Sequence, residues 1–288
     1  MRGFTLLKKA VIPAAGLGTR LLPITKELPK EMLPIVALMK NGQPCLKPML
    51  QTIFEQLYDV GFREFAFIVG RGKRAIEDHF LSDEDFIRYL KNKNKKDLAQ
   101  ELQEFYNKIN DSNIVFINQP KPKGFGDAVA RASLFTGNEK FLMQAGDDLI
   151  MSKNNNHLKR AAEIFEKYDA DTLFLVEEVP DPRNYGVITG KEIKPSIFQV
   201  TNIVEKPKKP PSNLAIVALY IFKPIIYKAI SDVEPDENGE IQLADALKML
   251  VEWNCKVYGL KLNPAERRVD IGTAESYLAM LKSVVMGK

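Results

Sequence analysis

Apolar positions follow two spacings along this 288-residue chain, and the alternation between them sets the expected fold. Lys9–Pro13 has the pattern of a short buried strand and runs into a glycine-containing loop. Leu50, Ile53, Phe54, Leu57 and Val60 recur at helical spacing, and Gly61 supplies a stop. Phe65–Val69 is strand-like and Arg71–Phe80 helical. The stretch from Asp83 to Ile109 is highly charged and helix-prone, with Phe86, Tyr89, Leu90, Leu98, Leu102, Phe105 and Tyr106 giving it an apolar side. Ile114–Asn118, Phe141–Ala145 and Thr172–Glu177 read as further strands, separated by helical patterns at Asp127–Phe135 and His157–Tyr168. Strand and helix in alternation predict an α/β, Rossmann-like fold: a mixed, mainly parallel central sheet flanked by helices on both faces.

Beyond Glu177 the rhythm changes. Tyr185–Thr189, Phe198–Val204 and Ala215–Phe222 are strand-like with no long helix between them. The wider Asp181–Lys194 stretch and Pro207–Ser212 have loop composition. Helices follow near Ile241–Trp253 and Thr273–Val285, with a strand at Lys256–Leu262. There is no internal repeat, and the lysine-rich Lys91–Lys96 reads as a solvated helix end. One domain is expected over residues 1–288, with a helical insert at about 83–109 and a helical C-terminal part at about 240–288.

In open parallel sheets, ligands sit beyond the carboxyl ends of the strands. Four such ends carry polar or glycine residues: Ala14-Ala15-Gly16-Leu17-Gly18-Thr19-Arg20, Gln119 to Gly124, Gly146-Asp147-Asp148, and Glu205-Lys206-Pro207. They come from distant parts of the chain and are predicted to meet at one rim.

The first loop fits neither common phosphate motif. A P-loop needs Gly-Lys followed by Ser or Thr, which is absent, and the dinucleotide pattern meets Leu21 where its third glycine belongs. Gly16 and Gly18 would still let backbone N–H groups approach an anion, although a plain strand-to-helix turn uses the same glycines. Arg20 and Lys30 add positive charge, and Pro13, Pro23, Pro29 and Pro34 stiffen the segment that carries it, which favours a phosphate cradle. Asp147 and Asp148 end an apolar strand, where they would serve a turn or bind a hard cation such as Mg²⁺. Asp270 is a second candidate, or a helix cap. Glu205 and Lys206 would form a surface ion pair, or hold sugar hydroxyls and a phosphate. Tyr185-Gly186 offers an aromatic ring beside an accessible backbone N–H, or a turn after Pro182. Gln119 has the donor and acceptor that suit a base edge.

Composition narrows the classes. With 41 basic and 37 acidic residues the chain is near charge balance, which does not suggest an obligate nucleic-acid binder. No apolar run approaches the ~20 residues of a membrane span. Lys8 and Lys9 interrupt the N-terminal apolar residues, so Met1–Lys9 does not read as a signal peptide. Cys45 and Cys255 are far apart and in no metal-binding spacing, as expected of a reduced, cytoplasmic protein. Two histidines, His79 and His157, leave little room for a histidine-rich zinc site.

Gly16-x-Gly18-Thr19-Arg20-x-x-Pro23-x-Thr25-x-x-x-Pro29-Lys30-x-x-Leu33-Pro34 closely resembles the signature of the sugar-1-phosphate nucleotidylyltransferase family. Asn184-Tyr185-Gly186-Val187, Val204-Glu205-Lys206-Pro207, Pro211 to Val217 and Glu240 to Ala246 are similar to its prokaryotic uridylyl-transferring branch, as is the charged helical insert. The resemblance covers nearly the whole chain and implies a nucleotidyltransferase fold, UTP and glucose 1-phosphate as substrates, and Mg²⁺ as cofactor. It implies that Ala15, Gly16, Gln119 and Gly124 bind the base, with Gly18 and Thr19 in the same loop. Arg20 and Lys30 would hold the triphosphate, Asp147 and Asp270 the metal, Tyr185, Gly186 and Glu205 the sugar, and Lys206 its phosphate. It also implies a homo-oligomer, dimer or tetramer. Three departures stand out: a longer region at Asn41–Pro48, Asp127 where that branch usually carries histidine, and Val269 to Thr273, which leans toward thymidylyl-transferring relatives. The same reaction with dTTP is therefore one alternative. A non-catalytic sugar-nucleotide-binding regulator is another, although it would not need Lys30, Asp147, Lys206 and Asp270 together.

Overall fold

The computed structural model describes residues 7–285. Residues 1–6, part of the N-terminal stretch weighed above as a leader, and 286–288 lie outside it. Among the described residues, no helix is long and apolar enough to cross a membrane.

Strand β1 (Lys9–Pro13) leads into three short helical turns and a hairpin of β2 (Pro34–Leu38) and β3 (Pro44–Pro48). Helix α1 (Met49–Asp59) buries Leu50, Ile53, Phe54 and Leu57 and ends at Gly61, whose φ of +111° suits glycine. Then come β4 (Glu64–Val69) and α2 (Arg74–His79). The charged, helix-prone stretch forms two helices, α3 (Glu84–Asn92) and α4 (Lys96–Asn110), with the helix end expected at Lys91–Lys96 between them. The break falls at the lysine-rich segment, where Asn94 takes a left-handed φ of 57°. Asp83 caps α3 by accepting from the Phe86 N–H at 2.9 Å. The chain continues through β5 (Asn113–Asn118), α5 (Gly124–Arg131), α6 (Ser133–Thr136), β6 (Phe141–Gln144), β7 (Asp148–Met151), α7 (Asn156–Lys167) and β8 (Thr172–Glu178). Its last third holds β9 (Gly186–Lys194), β10 (Ile197–Glu205), β11 (Leu214–Phe222), α8 (Ile225–Asp232), α9 (Leu243–Glu252), β12 (Val257–Lys261), β13 (Arg267–Asp270) and α10 (Ala274–Val285).

Nine strands form one sheet in the order β5-β4-β1-β6-β11-β8-β12-β10-β9. Successive residues of a strand point to opposite faces, and both faces are covered, so the strands read as continuous apolar runs. Ala10 and Ile12, Phe65 and Phe67, and Leu142 pack on the face carrying α1 and α7. Val11, Ala66 and Ile68, and Phe141 and Met143 pack on the face carrying α5, α8 and α9.

The sheet is mixed rather than mainly parallel. Pairs β1–β4, β4–β5, β1–β6 and β8–β12 are parallel, while β6–β11, β11–β8, β12–β10 and β10–β9 are antiparallel. A parallel neighbour needs a long crossover, and the chain between β8 and β11 has no helix to provide one. There it folds back through the β9–β10 hairpin, and the residues expected as loop up to Lys194 belong to β9. In the C-terminal part the strand expected at Lys256–Leu262 is β12 of the main sheet, while β13, which was not expected, pairs with β7.

The long Asn41–Pro48 region builds the β2–β3 hairpin, which lies along α4. Lys47 bridges Glu101 at 2.7 Å and Glu55 at 3.1 Å, and Lys40 meets Glu104 at 2.8 Å.

Candidate active site

The loop after β1 is shaped by close contacts. Gly18 has a φ of +66°, and a Cβ there would lie 3.1 Å from the Thr25 side chain, whose hydroxyl donates to Gly18 O at 2.7 Å. At Gly16 a Cβ would lie 3.6 Å from the Lys30 ammonium, so the missing side chain makes room for this lysine. Pro29 precedes the short turn Lys30–Met32, which sends neighbouring charges opposite ways. Lys30 pairs with Asp147. Glu31, only 1% exposed, accepts from Lys73 at 2.7 Å. Burial alone would lower the Lys30 pKa, but the Asp147 carboxylate, with Glu31 and Asp270 behind it, holds it above its usual value.

The adjacent aspartates divide the work, a division that residue pattern alone left open and that the family resemblance implied in favour of Asp147. Asp148, with its side chain 4% exposed, is gripped by Arg268 at 2.7–3.0 Å and accepts from the Ala218 N–H at 3.1 Å. Burial would lower the Arg268 pKa, yet Asp148 raises it further, so this guanidinium stays charged. The Asp147 side chain, 19% exposed, turns to the cavity. Asp270 faces Asp148 across the β7–β13 pair, and the Ile271 N–H donates to Asp147 O at 3.1 Å, so this small sheet fixes Asp147 and Asp270 near one another.

Asp270 is raised to about 6, first by burial and then by the charges of Asp148 and Asp147, against Arg268 and Lys30. Such crowded carboxylates suit a hard divalent cation. Among the described residues, no group of three or more acidic, histidine or cysteine side chains converges as a ligand set. Asp147 and Asp270 would thus leave most coordination to phosphate oxygens and water, the habit of magnesium.

Two adjoining cavities meet at this point. One, of about 350 Å³, is lined by Ala15, Gly16, Gly18, Thr19, Gln119 and Gly124. The other, of about 600 Å³, is lined by Arg20, Tyr185, Gly186, Glu205, Lys206 and Asp270. Lys30, Asp147, Phe125 and Glu240 border both. Every residue expected from the sequence to bind nucleotide, sugar phosphate or metal therefore lies around this double cleft. A separate depression of about 670 Å³ between α2 and α4 shares no residue with it.

Local folding explains the second cavity. Glu205 pairs with Gly186 in the β10–β9 register, so the end of one strand meets the start of the other. A Cβ on Gly186 would come within 3.2 Å of Glu205 Oε2 and of the Ile216 side chain. Lys206 meets Glu205 at 3.0 Å and is more than half exposed, so both the surface pairing and the cavity position hold. Arg20 makes no hydrogen bond or ion pair with the described residues, and its Nη2 would lie 3.5 Å from a Cβ on Gly272. Gly124 has a reason unseen in the sequence: a Cβ there would lie 2.6 Å from Ile241 O.

Arg268, Phe125, Glu240 and Asn184 also line the cleft; Asn184 and Glu240 stand in motifs but without an expected site role, and Arg268 and Phe125 were not singled out. For Arg268 a signal existed: it lies two residues before Asp270 on a strand, hence on the same face.

Similarity to known proteins places the chain in a family. Residues 9–285 match the family model described as nucleotidyl transferase. A UTP–glucose-1-phosphate uridylyltransferase of Pseudomonas aeruginosa is 35% identical over 95% of this chain and 94% of its own. One from Bacillus subtilis is 39% identical over 85% of this chain and 81% of its own. A solved UDP-glucose pyrophosphorylase complexed with UDP-glucose superimposes with a TM-score of 0.83 at 31% identity, over 98% of this chain and 100% of that one. The chain belongs to the nucleotidyl transferase family.

Proposed function

We propose that this chain transfers the uridylyl group of UTP to glucose 1-phosphate, giving UDP-glucose and pyrophosphate. The observation that carries the reading is the double cleft joined at the Lys30–Asp147 pair. The cavity with the glycine loop and Gln119 would take the nucleotide. The cavity with Gly186, Glu205 and Lys206 would take the sugar phosphate.

The sugar phosphate is its own nucleophile. A phosphate monoester has a second pKa of about 6, so one of its oxygens is ionised near neutrality and no strong base is required. That oxygen forms a bond to the α-phosphorus as the bond from α-phosphorus to the bridging oxygen breaks, and the electron pair leaves on pyrophosphate. The barrier lies in bringing two polyanions together in line. Lys206 holds the sugar phosphate, Arg20 and Lys30 meet the triphosphate, and Glu205 accepts from sugar hydroxyls. Asp147 and Asp270 would hold Mg²⁺. When bound, the ion supplies the charge neutralisation that the fixed cations leave incomplete.

Pyrophosphate release, measured with each of four nucleoside triphosphates and several sugar 1-phosphates, tests this. UTP with glucose 1-phosphate should be the most efficient pair. No release from any pair would overturn the reading.

A further inference from the structure

Gln119 follows β5 in the wall of the nucleotide-side cavity, and it is 6% exposed. Its amide nitrogen donates to Asp127 Oδ2 at 2.8 Å and to Gly124 O at 3.2 Å. A carboxylate and a carbonyl can only accept. Together they use both protons of the NH₂ group and dictate which end of the amide is nitrogen. The amide oxygen remains. No described group donates to it, and it is not among the sealed, partnerless atoms, so it opens on the cavity. Asp127 is itself held one helical turn along by Arg131, at 2.9 Å from Nε to Oδ2 and 3.2 Å from Nη2 to Oδ1. The start of α5 is pinned too: the Gly126 N–H donates to Ile241 O at 2.9 Å, and the Ile241 N–H to Lys123 O at 2.8 Å.

We propose that Asp127 is a positioning residue that sets the choice of base, by holding the Gln119 amide with its oxygen toward the cavity. The site is thereby an acceptor, which favours uracil, whose N3 carries a proton, over cytosine, whose N3 does not. The inference rests on the nucleotide placement proposed above. An untethered amide would turn over readily and offer its NH₂ to cytosine N3 instead. With Asp127 in place, that flip sets the amide oxygen against a carboxylate and a carbonyl, in a buried setting where unmatched polar groups are costly. Thymine has the same N3–H, so the lock does not choose between UTP and dTTP.

The test measures kcat and KM for UTP and for CTP, at saturating glucose 1-phosphate, in the wild-type chain and in Asp127→Ala, Asp127→Asn and Arg131→Ala, together with Tm. In Asp127→Ala the UTP-over-CTP ratio of kcat/KM should fall about tenfold, the worth of one hydrogen bond, chiefly through the two KM values. Asp127→Asn keeps an accepting oxygen and should hold the ratio within about twofold of wild type. Arg131→Ala should lower Tm but reduce the ratio less than Asp127→Ala does, since the accepting carboxylate remains, which separates loss of stability from loss of the lock. An unchanged ratio in Asp127→Ala overturns the inference, as does a ratio lost in Asp127→Asn. The asparagine variant decides the matter if the alanine variant does not fold. Wild-type turnover of UTP without discrimination against CTP removes the inference alone. No turnover of UTP removes the nucleotide placement as well.

Discussion

Arg268 reaches both aspartates of a facing pair, 2.7 Å from Asp148 and 3.8 Å from Asp270. Like charges directly opposite on a β-ladder repel, and the guanidinium offsets that repulsion. Because Arg268 is committed to Asp148, its sequence neighbour Asp147 is the carboxylate left to the cavity.

That division predicts opposite outcomes for two adjacent substitutions. Asp148→Asn leaves Arg268 without its buried partner and should cost about 3–5 kcal/mol of stability. Asp147→Asn should cost less stability, because Lys30 keeps Glu31 and Asp270 as neighbouring carboxylates and lies nearer the cavity, and should lower kcat by at least about 100-fold, as expected when a group stabilising transition-state charge is removed. Thermal unfolding and turnover of the two variants, side by side, check this. Equal losses of stability would refute the division.

Asp270→Asn should raise the Mg²⁺ concentration needed for half-maximal activity by more than the ~10–100-fold lost when a mere outer partner of a metal ligand is removed. A magnesium titration at saturating substrates checks it. An unchanged midpoint would remove Asp270 from the metal site.

Lys206→Ala should raise KM for glucose 1-phosphate by about 10–100-fold, the range for a hydrogen bond to a charged group, with KM for UTP nearly unchanged. Initial rates with each substrate varied in turn separate the two. A rise in KM for UTP alone would reassign the lysine.

Gly124→Ala should destabilise the protein by about 1–3 kcal/mol and weaken nucleotide use. Its φ of +92° disfavours a side chain, and a Cβ would press on Ile241 backbone at 2.6 Å and 2.8 Å. Urea unfolding and KM for UTP check both halves. Wild-type stability would mean that the loop shifts freely, against the bonds that pin it.

Acid should weaken the fold through two histidines. Burial lowers both His79 and His157 to about 4, from an ordinary 6.5, with Arg160 adding to the effect at His157. Between those values the unfolded chain binds protons that the folded chain refuses. Stability is therefore full above about pH 6.5 and falls as pH drops toward 4, by about 1–2 kcal/mol per histidine between pH 6.5 and 5. Urea midpoints at the two pH values check this. His157→Gln should flatten the slope.

The local pattern determined much of this protein. Buried strands such as Lys9–Pro13 and Phe65–Val69 were legible because a strand covered on both faces must be apolar throughout. Helix α1 was legible because its apolar residues keep helical spacing and Gly61 stops it. The rim was legible too: glycines and charges that follow strand ends gather where a sheet presents its carboxyl edge. Only the tertiary structure decided the rest. The direction of β11 and β12 depends on pairings between strands far apart in the chain, which no local spacing records. The separate duties of Asp147 and Asp148 depend on Arg268, 120 residues from Asp148. The orientation of the Gln119 amide depends on Asp127, and the need for glycine at position 124 on Ile241. Local periodicity is a property of single segments. Charge partners and close backbone approaches are set only when segments pack, and those contacts give each polar residue at the rim its particular task.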